Sequence, residues 1–146
     1  MNPTRPFFTK GGRSELTIAR WILAIPAAFL GWFLALFLGL LAHGFLTSLC
    51  PTDMMVSGAC IASWHMKISS FLVPAFSGVA AILVIIFPTV VAPSYRLQVS
   101  VLAYVSGAIA TFVLTQGQII IETNVALGTG LLTVSAIWYL LRRHKA

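Results

Sequence analysis

Along the chain, long apolar runs alternate with short polar interruptions. Between Trp21 and Leu141 only Asp53, Lys67, Arg96 and Glu122 belong to the Asp, Glu, Lys and Arg class. The apolar stretches they leave are residues 21–46, 71–91, 97–115 and 119–141. A helix rises about 1.5 Å per residue, so about 20 residues cross the roughly 30 Å hydrocarbon core of a bilayer. Each stretch has that order of length and predicts a transmembrane helix. Lipid offers backbone groups no partners, so a spanning segment must bond within itself as a helix. No internal repeat or linker divides the chain, and residues 1–146 read as a single domain.

The first span carries Ala27, Gly31, Ala35, Gly39 and His43 at intervals of four residues, which places them on one helix face. Small residues at this interval let a second helix approach closely, and in lipid such packing replaces the missing hydrophobic drive. Ala27, Gly31, Ala35 and Gly39 are therefore the predicted helix-packing face, and Phe29, Phe33, Phe37 and Leu40 the lipid face. Ahead of this span, Pro3, Pro6, Gly11 and Gly12 discourage regular structure, and Ser14 followed by Glu15 reads as the helix start. In the second span Pro74 falls in the first turn, where its missing N–H does little harm, and Pro88 with Pro93 ends the helix. Ala103, Gly107, Ala110 and Thr111 give the third span a small face, and Gly128 and Gly130 lie inside the fourth. Residues 47–69 form the one sizeable loop; 92–96 and 116–118 are short turns.

Composition strengthens the membrane reading. The 146 residues are 59% hydrophobic and 8% charged, against roughly 25% charged in soluble proteins. Too few charges remain to clothe a water-facing surface, so the fold class is an all-α membrane protein. The net charge of +6 would suggest nucleic acid in a soluble domain. Here the bases cluster at the two ends and at Arg96, which is the pattern of topology determinants and not of a nucleic-acid site. Eight of the nine Lys and Arg residues lie on one side under a four-span reading: Arg5, Lys10, Arg13, Arg20, Arg96, Arg142, Arg143 and Lys145. Only Lys67 falls opposite. Short basic segments stay cytoplasmic. The expectation is an antiparallel bundle of four helices in the cell's inner or plasma membrane, both termini cytoplasmic, with residues 47–69 and 116–118 outside. The first apolar run is far longer than the roughly 7–15 apolar residues of a signal peptide and reads as a retained span.

Few residues offer chemistry. Cys50 and Cys60 both fall in the outer loop, where an oxidising compartment favours a disulfide. Pro51 and Ser57-Gly58 help the intervening chain turn back, and a ring this small contributes about 2–3 kcal/mol in the chain-entropy model. The pair lacks the close Cys-x-x-Cys spacing of thiol redox enzymes. Met54, Met55, Met66, His65, Cys50 and Cys60 include soft ligands suited to Cu(I), but no repeated Met-x-x-Met or His-x-His pattern supports a metal site. His43, near the outer end of the first span, and Glu122, near the outer start of the fourth, form a candidate intramembrane polar pair, because ionisable groups in spans face the interior and pair. Arg20, Arg96 and the terminal bases read as interfacial anchors, and Arg142, Arg143 and Lys145 also attract anionic lipid. No catalytic constellation is present, and neither an enzyme nor a cofactor is expected.

Particular residues set aside three groups of four-span proteins. Small multidrug transporters need an embedded acid early in the chain, and the first span has none. Disulfide-forming quinone reductases need more than two cysteines. Claudin-like proteins place a Gly-Leu-Trp before the first loop cysteine, and no Trp lies between the first span and Cys50. The leading functional expectation is a structural or accessory membrane subunit that packs with itself or with a larger complex. Two others follow: an oligomeric solute or ion carrier with His43 and Glu122 near its gate, and an outer-face metal-handling protein using Met54, Met55 and His65.

Overall fold

The computed structural model describes residues 11–92, 94–118 and 120–143, with side chains from Ile18 onward. The tail bases Arg5, Lys10 and Lys145, and Pro93, lie outside the described residues, as do the side chains of Arg13, Ser14 and Glu15. The helices are α1 (Gly11–Ser48), α2 (Ser63–Val91), α3 (Arg96–Leu114) and α4 (Ile121–Arg143). All four are long and apolar enough to cross a membrane.

Two helices depart from the sequence expectation. The described part of α1 runs from Gly11, so Ser14, the expected helix start, is already helical. The helix α2 begins at Ser63, well inside the expected 47–69 loop. Its first two turns, Ser63-Trp64-His65-Met66-Lys67-Ile68-Ser69-Ser70, are too polar to register as a span yet contain nothing that breaks a helix. Pro74 consequently lies deep inside α2 instead of in its first turn, and Pro88 is also internal, with the helix continuing to Val91. Each proline removes one N–H from the ladder, which membrane helices tolerate when neighbouring groups supply hydrogen bonds. Both are buried, and hydroxyls bond nearby: Ser77 Oγ donates to the Pro74 carbonyl at 2.7 Å, and Thr89 Oγ1 to that of Ile85 at 2.6 Å.

The helix α2 is the centre of the molecule, touching α1, α3 and α4, while α1 makes its substantial contacts with α2 alone. A Cβ at Gly31 would meet the Leu83 backbone, and one at Gly39 would meet Phe76, so α1 and α2 run in opposite directions. Ser77 bonds the Glu122 carbonyl and Gly130 lies by Ile85, so α2 and α4 run the same way. Tyr104 on α3 packs on Gly130 of α4, while Arg96 and Arg142 share a cavity, so α3 opposes α4.

The small-residue face of α1 is used within the chain. Ala24, Ala27, Gly31 and Ala35 are buried, Ala35 to 1% exposure, and Gly39 is half-buried. At Gly31 the fit is backbone to backbone: an added Cβ would stand 2.8 Å from both the carbonyl carbon and oxygen of Leu83. Phe29, Phe33, Phe37 and Leu40 are exposed. His43 departs from the stripe and is exposed, while half-buried Ala42 and buried Leu46 continue it. Steps of four residues drift by about 40° each around a helix with 3.6 residues per turn, and a step of three restores the face.

Between α1 and α2 the chain forms a short 3-10 turn (Thr52–Met54) and a minimal hairpin, β1 (Met55–Val56) with β2 (Ala59–Cys60). Met55 pairs with Cys60 and Val56 with Ala59, leaving Ser57 and Gly58 as a two-residue turn. Both have positive φ, 51° and 82°, the signature of the tight turn that matches strand twist. The α3–α4 turn, at Gln116 and Gly117, uses the same left-handed conformation, and the Gly117 N–H reaches back to the Phe112 carbonyl at 2.9 Å to close α3.

The two hairpins differ in reach. Glu122, in the first turn of α4, sits level with Ser77 of α2. The part of α2 from Ser63 to Ser77, about 21 Å at the helical rise per residue, precedes the start of α4.

Candidate functional site

The polar and chemically distinctive residues gather at the loop end of the α1–α2 hairpin. Cys50 and Cys60 are joined, with an S–S distance of 1.99 Å and Cα atoms 6.0 Å apart. The Ser57-Gly58 turn makes this closure possible, because it returns Cys60 beside Met55 and so beneath Cys50. With both sulfurs in the bridge, neither is a thiolate ligand or nucleophile in this state.

Beneath the bridge, His65 from the start of α2 meets His43 from α1, their rings edge to face with centroids 6.0 Å apart. Trp64 stands against His65 at 5.8 Å. His65 is 6% exposed, and its Nε2 is buried with no hydrogen-bond partner. A polar atom so placed loses its hydration without compensation, at about 1–3 kcal/mol. Thr123 at the start of α4 has the same character, 4% exposed with an unpartnered Oγ1.

His43 and Glu122 are not brought together. His43 is attached to α2 at His65, and Glu122 at Ser77, whose hydroxyl donates to the Glu122 carbonyl at 3.1 Å. Those anchor points on α2 are separated by about 18 Å at the helical rise per residue. The cause is the unequal reach of the hairpins: span-end positions in sequence do not lie at one depth when α2 is extended by its polar first turns. His65 is the partner that sequence reasoning placed in a loop. The available signal was that Ser63 to Ser70 holds neither proline nor glycine.

Met54, Met55 and Met66 are exposed and do not turn inward toward the histidines as a group. Among the described residues, no three His, Cys, Asp or Glu side chains converge in a way that would hold a metal ion. The site offers one buried, unpartnered imidazole nitrogen in apolar surroundings beside a second imidazole. That arrangement can accept or donate one hydrogen bond. It supplies no nucleophile with an activating base.

At the other end of the molecule, Arg142 lies 3.9 Å over the Trp138 ring and Arg143 5.7 Å from that of Tyr139. These pairs hold cation and aromatic at one level, as interfacial anchors do. Comparison with protein families, with curated proteins and with solved structures finds no match.

Proposed function

We propose that this chain is a small multi-pass membrane protein of the inner or plasma membrane that acts as a structural or accessory subunit, by packing against copies of itself or the spans of a larger complex. In this reading the four helices form one bundle, both termini are cytoplasmic, and the disulfide loop faces outward. The carrying observation is the position of α1. It makes its substantial contacts with α2 alone and leaves a broad apolar surface from Ile18 to Phe45, including Ile25, Phe29, Phe33, Phe37 and Leu40. The small-residue stripe contributes by fastening α1 to α2, so a partner would meet the bulky faces and not the stripe.

The hydroxyls of the spans also favour a structural role. Thr89, Thr111, Thr133 and Ser135 each bond a carbonyl one turn back on their own helix, which satisfies them locally. A carrier gated by a His43–Glu122 contact is the weaker reading, because α2 holds those residues far apart. Crosslinking in native membranes at native expression, read by blue-native electrophoresis, tests the proposal. A discrete species larger than the monomer is expected, and monomer alone would contradict it.

A further inference from the structure

We propose that the groove between the start of α3 and the end of α4 binds a phospholipid with an anionic headgroup. The proposal rests on the membrane reading of the chain but not on its accessory role. An open cavity of about 530 Å³ lies here, with Arg96, Arg142, Tyr95 and Trp138 in its wall. A second cavity of about 310 Å³ adjoins it through Arg96 and Leu141, and is walled by Val90, Ile137 and Leu140. The two together have the division of a lipid: a cationic chamber and an apolar trough continuing from it.

The cationic chamber is suited to a phosphate. Two guanidinium groups from different helices border it, and guanidinium matches phosphate oxygens with paired N–H donors. Arg142 is steadied by its stacking on Trp138. The helix α3 begins here without a side-chain cap, after Tyr95 turns the chain through a left-handed conformation at φ 56°. Its first N–H groups therefore add donors and the positive end of the helix dipole. The two carboxylates with described side chains, Asp53 and Glu122, belong to the opposite end of the helices. Among the described residues a headgroup bearing an ammonium finds no carboxylate at this end of the helices, whereas one with net negative charge is matched by Arg96 and Arg142.

The apolar trough distinguishes a lipid from a soluble anion. Its one hydroxyl, that of Thr89, is already bonded to the Ile85 carbonyl, so its surface behaves as hydrocarbon. A soluble phosphate would fill only the first chamber.

The test uses the full-length protein in detergent, with phosphatidylglycerol, phosphatidylcholine and inorganic phosphate as probes and native mass spectrometry as the readout. Phosphatidylglycerol should be retained one to one and in preference to phosphatidylcholine, and millimolar phosphate should not displace it. The double variant Arg96→Gln with Arg142→Gln should weaken retention about twenty-five-fold, at about fivefold per basic residue. Arg143→Gln, which lies outside the groove, should weaken retention far less than the double variant. Equal retention of the two lipids, or an equal loss with Arg143→Gln, would overturn the proposal in favour of diffuse attraction. Displacement by phosphate would overturn the lipid assignment. A photoactivatable acyl chain on phosphatidylglycerol gives a second readout on the unaltered protein. It should label the ends of α2 and α4, and labelling confined to α1 would contradict the site.

Discussion

Gly31 makes the closest approach to backbone among the described glycines, and this gives a quantitative prediction. In Gly31→Ala the new methyl would lie 2.8 Å from the Leu83 carbonyl carbon and oxygen and 3.2 Å from the Val84 nitrogen. These are backbone atoms of a second helix and cannot swing aside. Ordinary contact begins near 3.4 Å, so α1 and α2 must part by about 0.6 Å at this point, enough to forfeit a quarter or more of the dispersion energy of the contacts around it. Overpacking of this kind costs about 1–3 kcal/mol. Alanine also favours the helix over glycine by about 0.8–1 kcal/mol, which partly hides the effect. Gly44→Ala provides the correction, since a Cβ there meets nothing within 4 Å and the helix preference acts alone. The two variants should therefore differ by about 1–3 kcal/mol, with Gly31→Ala the less stable. Gly39→Ala, whose methyl would touch the Phe76 side chain at 3.4 Å, should fall between them. Reversible unfolding in mixed micelles with increasing SDS fraction, followed by circular dichroism, measures these differences. If Gly31→Ala and Gly44→Ala shift the midpoint equally, α1 does not approach α2 through Gly31.

Two further outcomes follow from the polar residues. Replacing Cys50 and Cys60 by Ser should destabilise the oxidised protein by about 2–3 kcal/mol and abolish the response of its melting temperature to reductant; an unaltered response would show that the bridge does not form. Thr123→Val keeps the side-chain shape and removes a buried hydroxyl without a partner, so stability should hold or rise by about 1 kcal/mol in the same micelle assay. A loss of 1 kcal/mol or more would mean that the hydroxyl is hydrogen-bonded in the membrane.

Hydropathy made the four helices legible, because a segment that must satisfy its backbone inside lipid has only one structure available to it. The packing stripe on α1 was legible for a related reason: Ala27, Gly31 and Ala35 repeat at the helical interval, and all three are buried. Its partner was not legible, since a small face fits a neighbouring span of the same chain as well as one from another copy. Hydropathy also failed at the start of α2. Ser63 to Ser70 is helical without being apolar, so hydropathy alone makes the loop too long and puts Pro74 in a first turn. That error carried into the candidate site. With α2 extended, His65 comes opposite His43, while α4 begins level with Ser77, far from both histidines. Sequence gives the length of each span but not the offset between hairpins, which depends on contacts such as Tyr104 against Gly130. The Cys50–Cys60 bridge was readable from two cysteines sharing one loop, and the Ser57-Gly58 turn supplies the means of closure.

Sidedness is the claim on which the functional account depends, and thiol labelling in intact cells measures it directly. The account predicts that, after mild reduction, a membrane-impermeant maleimide reaches Cys50 and Cys60 from outside. In a Cys50→Ser, Cys60→Ser background carrying Ser94→Cys, the same reagent should react only after the membrane is permeabilised. Labelling of Ser94→Cys in intact cells of that background, where no native cysteine remains, would contradict the proposed orientation.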